Sequence, residues 1–141
     1  MISITCHHAL RAIVHMAAER EDRFFPTRDL AKKSGTSFFF LSKIMYRLKK
    51  KGLVRSRRGA RGGVILARPA SEITLLDVVE AVDGPGFKSK CFLGQNVCSR
   101  MTTCAVHSLW EHVRDTYIKM LAGTTLGALA EEQKRNILKN T

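Results

Sequence analysis

The sequence contains no apolar run longer than four or five residues, which excludes a membrane-spanning helix of about 20 apolar residues. No basic stretch at its start leads into an apolar run with a small-residue cleavage site, so the chain is expected to stay in the cytosol. Internal repeats and low-complexity tracts are missing too. A glycine-rich phosphate loop before a helix, a constellation of carboxylates and a pocket-forming second domain are all lacking, which argues against an enzyme. The most informative absence is that of negative charge. From Leu30 to Ser71 there is not one Asp or Glu, although these 42 residues hold twelve Lys and Arg. The twelve acidic residues of the chain all lie outside that segment and balance the basic residues there. The whole net charge of +12 is therefore local. A carboxylate facing phosphate would be repelled, so an acid-free basic segment points to a polyanion, double-stranded DNA above all. No basic amphipathic helix bearing Trp supports an anionic membrane instead.

What is present organises around that segment. With 141 residues and 45% hydrophobic content, one compact domain with an appendage is expected. Leu10, Ile13, Val14 and Ala17 recur at helical spacing and end in the charged stretch Glu19 to Arg23. Pro26 and Thr27 open a short second helix, with Thr27 as N-cap and Leu30 and Ala31 inward, which Ser34-Gly35-Thr36 breaks. Ser37 caps a third helix with Phe38, Leu41, Ile44, Met45 and Leu48 on its core face, stopped by Gly52. Helix, tight glycine turn and helix form a helix-turn-helix. Leu53 to Arg57 and Val64 to Ala67 then flank the tip Arg58-Gly59-Ala60-Arg61-Gly62-Gly63, a hairpin placed as a wing. Thr74 caps a fourth helix, Leu75 to Val82, ended by Asp83-Gly84-Pro85-Gly86.

Residues 87 to 104 have no period and carry three cysteines, a loop ordered by something other than a core. Val106, Leu109, Trp110, Val113, Tyr117, Met120 and Leu121 follow on one face of a long helix. That stripe is expected to pair two copies in a homodimer, the alternative being packing on its own domain. Thr125 to Leu138 reads as a weakly helical, polar tail. The expected fold is thus mainly α with a small β-hairpin wing: a winged helix-turn-helix domain over residues 1–86, a cysteine-bearing cofactor loop over 87–104, and a dimerisation helix with polar tail over 105–141.

For DNA, the third helix offers Phe39, Phe40, Ser42, Lys43 and Arg47 outward, with Ser37 at its cap. These would meet thymine methyls, base edges and phosphates in the major groove of a palindromic operator. The alternative is that Phe39 or Phe40 packs on the wing or the first helix. Arg57, Arg58 and Arg61 on the wing would reach phosphates or a narrow minor groove.

Cys91-x6-Cys98-x5-Cys104-x2-His107 gathers three thiols and an imidazole, a donor set for soft metals. Structural zinc prefers paired short spacings, whereas wide, loop-borne cysteines suit an iron–sulfur cluster. Spacing alone leaves a cluster, zinc and unligated redox thiols all open.

The run from Leu41 to Val82, with K-K-K-G-L-V-R-S-R-R-G-A-R-G-G-V-I-L-A-R-P and I-T-L-L-D-V-V-E-A-V-D-G-P, resembles the IscR/NsrR-type winged-helix iron–sulfur transcriptional regulators. The likeness extends from Ala9-Leu10-Arg11 to Thr125-Leu126-Gly127, and C-A-V-H-S-L-W at Cys104 to Trp110 looks like the IscR branch. That resemblance implies a regulator, expected to act as a repressor, whose operator affinity follows a [2Fe–2S] cluster on Cys91, Cys98, Cys104 and His107. It implies sensing of iron, redox state or nitric oxide. NsrR-like members instead complete a [4Fe–4S] site with a carboxylate near the start of the partner's first helix. The matching position here is His7, with Cys6 and His8 beside it. Two departures stand out: six residues rather than five separate the first two cysteines, and the wing reads G-A-R-G-G-V where G-P-G-G-G-Y is common.

Overall fold

A computed structural model describes residues 2–19, 22–94 and 104–139. Among them are six α-helices and one antiparallel hairpin: α1 (Ile4–Glu19), α2 (Thr27–Ser34), α3 (Phe38–Lys50), β1 (Val54–Arg57), β2 (Gly63–Leu66), α4 (Leu75–Asp83), α5 (His107–Gly123) and α6 (Leu126–Lys139). Short 3₁₀ turns occupy Ala70–Glu72 and Pro85–Ser89. No helix among the described residues is long and apolar enough to cross a membrane.

α1 is the central helix, packed by α2, α4 and α6. Its buried face is built from Cys6, Ala9, Ala12, Ile13, Met16 and Ala17, so small side chains let the neighbouring helices come close. Leu10 and Val14, expected inside, are only half-buried at its edge. The second helix starts one residue earlier than its sequence suggests. Pro26 is the cap residue and no side chain caps the helix; its carbonyl accepts from the Asp29 and Leu30 amides. Phe25 fixes this register by pairing with Val64 of the wing, leaving Thr27 inside the first turn.

Ser37 does cap α3, accepting from the Phe40 amide at 3.2 Å. Thr74 and Asp77 form a reciprocal capping box at α4, which satisfies two amides at the start of that helix. In the wing, Val54 pairs with Leu66 and Arg57 with Gly63. The segment read as a weakly helical, polar tail is a regular helix whose first turns enter the core. Leu126 is fully buried and Ala130 nearly so. Its start is held by backbone rather than by its own periodicity: Thr125 bridges Thr74, and the Leu126 amide donates to the Ile73 carbonyl at 2.8 Å.

Candidate functional site

Side chains on α3 advance by about 100° per residue. Leu41, Ile44, Met45 and Leu48 are buried, and the opposite direction belongs to Phe39, Lys43, Tyr46 and Lys50, all exposed. Phe39 is 78% and Tyr46 61% exposed, with the Lys50 ammonium 5.4 Å from the Tyr46 ring centre. Tyr46 and Lys50 escaped the sequence reading, although they continue the spacing that begins at Phe39 and Lys43.

The other outward candidates lie on the flanks. Phe40 makes an edge contact with His8 of α1, centroids 6.0 Å apart, so it leans on the first helix. Arg47 donates from Nη1 to the Val82 carbonyl at 3.1 Å. On the other flank, half-buried Ser42 donates to the Phe38 carbonyl at 2.7 Å. Phe38, expected in the core, is half-buried there and carries the Arg28 guanidinium 4.5 Å from its ring centre. The turn before α3 sets this: Phe38 starts the helix at the edge of the buried arc, facing α2 and the wing.

Between α3 and the wing lies an open cleft of about 560 Å³, lined by Arg28, Ser42, Tyr46, Lys49, Arg57 and Arg58 among others. Such a basic, partly aromatic cleft suits a phosphate backbone. Arg57 is engaged within the wing, donating to the Arg61 carbonyl at 2.8 Å and lying 4.3 Å over the Phe24 ring. Arg58 and Arg61 are exposed at the tip.

The cysteine segment meets the root of α5. Cys91 is buried and Cys104 half-buried, and their sulfurs stand 3.9 Å apart although they are thirteen positions apart in sequence. A disulfide needs about 2.05 Å, whereas two thiolates on one tetrahedral ion with bonds of about 2.3 Å would lie roughly 3.8 Å apart. His107 is the first residue of α5; its amide donates to the Cys104 carbonyl at 3.1 Å and its Nε2 lies 3.9 Å from the Glu111 carboxylate. Trp110 anchors the segment by donating from Nε1 to the Lys90 carbonyl at 2.9 Å and meeting the Phe92 ring at a tilt, centroids 5.5 Å apart. Cys98 lies outside the described residues. Among the described residues no three potential metal-ligating side chains are gathered in one place, but the close thiol pair and the neighbouring imidazole have the donor chemistry of a soft-metal or iron–sulfur site.

The start of α1 divides its three candidates. His7 is exposed; the Nδ1 of half-buried His8 lies 2.8 Å from the Ser34 carbonyl; Cys6 is fully buried. Burial, reinforced by the Asp83 carboxylate, pushes the Cys6 thiol from 9.0 up to about 12. A thiol held protonated is neither nucleophile nor metal ligand. Native protein at pH 8 should therefore leave Cys6 unlabelled by iodoacetamide, and unfolding should expose it, as peptide mass spectrometry would read. Because folding raises this value, its stabilising contribution is complete below about pH 9 and declines as pH climbs towards about 12.

The Rrf2 family profile, described as an iron-dependent transcriptional regulator, matches residues 2–132. The HTH-type transcriptional regulator IscR of Escherichia coli O1:K1 / APEC is 33% identical over 127 residues, which span 90% of this chain and 78% of that protein. Among solved structures, CymR, the global cysteine regulator of B. subtilis, superposes with a TM-score of 0.78 at 26% identity, covering 94% of this chain and 97% of that one. T. potens IscR gives 0.74 at 25% identity, covering 94% and 88%. The family and the E. coli relative are named for transcriptional regulation rather than for catalysis, and the two solved structures share the mostly helical, winged architecture.

Proposed function

The chain belongs to the Rrf2 family of transcriptional regulators, and from that premise we propose that it is a homodimeric operator-binding regulator controlled by an iron–sulfur cluster on Cys91, Cys98, Cys104 and His107. The observation that carries this reading is the 3.9 Å approach of the Cys91 and Cys104 sulfurs at the root of α5, beside an imidazole on the same helix end. The likeness to the IscR branch favours a [2Fe–2S] cluster on three thiols and one imidazole over a [4Fe–4S] one, in which His7 of the partner subunit would be the alternative fourth ligand. When bound, the cluster supplies a centre that responds to iron supply, oxidants or nitric oxide.

The chain's own residues provide the rest. Phe39, Lys43 and Tyr46 face the major groove, Ser37 and Ser42 sit at the start and flank of the same helix, and Arg58 and Arg61 reach the backbone from the wing. A second copy is supported by α5. Leu109, Val113 and Met120 are 72%, 50% and 49% exposed on one of its faces, while Tyr117, Ile118 and Leu121 pack on the core from the other. So the apolar stripe divides between the two uses weighed for it. The cysteine segment lies between α4 and α5, and thus between the operator-reading and pairing halves, where ordering it biases the spacing of two recognition helices.

Anaerobically purified protein should show visible absorption, an EPR signal on reduction, and iron and sulfide in equal amounts. Cys104→Ala should lose all three while keeping its far-UV circular dichroism. Colourless protein with stoichiometric zinc would overturn the cluster in favour of a structural ion. Colourless, metal-free protein would favour a second reading that the same sulfur separation supports, in which an oxidant takes two electrons and two protons from Cys91 and Cys104 to close a disulfide. The sulfurs would need to approach by only about 2 Å.

A further inference from the structure

We propose that Arg47 is a positioning residue that ties the recognition helix to the cysteine segment through the last turn of α4. The proposal rests on the cysteine segment being the regulatory site. That last turn carries three outward polar links. Glu80 forms an ion pair with Lys88 of the following 3₁₀ turn. The Val82 carbonyl accepts from Arg47 of α3 at 3.1 Å. The Asp83 carboxylate accepts from the Ser3 amide at 2.9 Å and from the Ser3 hydroxyl, and Ser3 Oγ in turn accepts from the Cys6 amide at 3.0 Å. One turn of helix thus holds the start of α1, the recognition helix and the segment that leads to Cys91.

The last carbonyls of a helix have no partner within it, and they form the negative end of its dipole. A guanidinium is suited to that position because it brings both charge and a rigid donor. Arg47 leaves α3 on the flank next to the outward row of Phe39, Lys43 and Tyr46, so a shift of the Val82 carbonyl is felt on that row. Beyond Asp83 the chain turns at Gly84 into the 3₁₀ turn, where Phe87 is buried, and reaches buried Cys91. Buried Val82 and Phe87 make both ends of this connection part of the packed interior, which shifts between discrete arrangements rather than deforming smoothly.

Coupling of this kind is reciprocal, which gives a test that needs no cofactor. In cofactor-free protein, a 30-base-pair duplex selected by the wild type from a random pool should slow amide exchange of residues 84–91 by about threefold or more. In Arg47→Met at saturating duplex, that response should vanish; Arg47→Lys, which keeps the charge and a donor, should restore part of it. No response in the wild type, or an equal response in Arg47→Met, would overturn the proposal; should Arg47→Met fail to fold, Arg47→Gln carries the same expectation. A second arm uses protein that retains its cofactor. There the ratio of duplex affinities between loaded and stripped forms should fall towards one in the variant, whereas a simple phosphate contact would weaken both forms alike and reduce the salt slope by about one for each copy of Arg47. A wild type that holds no cofactor would sink the functional reading while leaving the exchange arm to decide on Arg47.

Discussion

Gly63→Ala is expected to collapse the wing, at a cost of about 3–5 kcal/mol and with operator binding lost. At this position the backbone has φ of 142°, and an added Cβ would lie 2.0 Å from the Phe25 carbonyl oxygen and 2.4 Å from its carbon. Both obstacles are backbone, so no side-chain rotation relieves them. The same two strands of chain are joined by the Phe25 amide to the Val64 carbonyl at 2.7 Å and by the Val64 amide to the Phe25 carbonyl at 2.9 Å. Accommodating the methyl means breaking that bridge, at about 1 kcal/mol for each hydrogen bond, on top of about 1–3 kcal/mol for the strained backbone. Out of a total stability of about 5–15 kcal/mol, such a loss should lower Tm by roughly 10 °C or more. Gly59 at the wing tip is the control. It too has a positive φ, 109°, but no atom lies within 4 Å of a Cβ built there. Gly59→Ala should therefore cost only about 1 kcal/mol of strain. Thermal melts of the two variants followed by circular dichroism decide the matter; equal losses would mean that contact with Phe25 is not what fixes Gly63.

That Phe25 bridge also marks where sequence reading stops. Local signals placed the starts of α3 and α4 well, because Ser37, Thr74 and Asp77 each act on an amide three residues away. Hairpin and tip were legible for the same reason, since turn chemistry is local. Long-range pairing was not. Thr27 looks like a cap until Phe25 is pinned to Val64, and Thr125 to Leu138 looks like a loose tail until Thr125 is paired with Thr74 and Leu126 is buried. On α3, period alone found the buried face but could not rank the outward residues. Phe40 and Arg47 have the spacing of exposed side chains, yet α1 and α4 supply them with His8 and the Val82 carbonyl, while Tyr46 and Lys50 take the outermost positions. At the thiols, spacing indicated a shared purpose for Cys91 and Cys104, and the fold brings them together. Cys6 carries the same element on a fully buried face, where protonation is favoured and ligation is not.

Arg58→Ala combined with Arg61→Ala should weaken duplex binding by roughly 10²–10³-fold at 0.1 M salt, if each arginine meets one phosphate. The charge excess of the chain lies wholly between residues 30 and 71, and the wing tip is an exposed part of it. Each phosphate contact releases about 0.9 counterion, and the proposed dimer would carry two copies of both arginines, so the slope of log affinity against log salt should become shallower by roughly four. Operator and random duplex should lose affinity alike, because phosphate contacts position the protein without reading sequence. Arg57→Ala is expected to behave differently. Its side chain holds the Arg61 carbonyl and covers Phe24, so removing it should loosen the wing and lower Tm as well as affinity. Lys43→Ala, on the outward face of α3, should separate groove from backbone by costing more on the operator than on random duplex. Titrations of the four proteins across 50–200 mM salt measure all of this at once. A slope unchanged by the Arg58 and Arg61 substitutions would mean that the wing stands clear of the duplex and that the acid-free segment works through α3 alone.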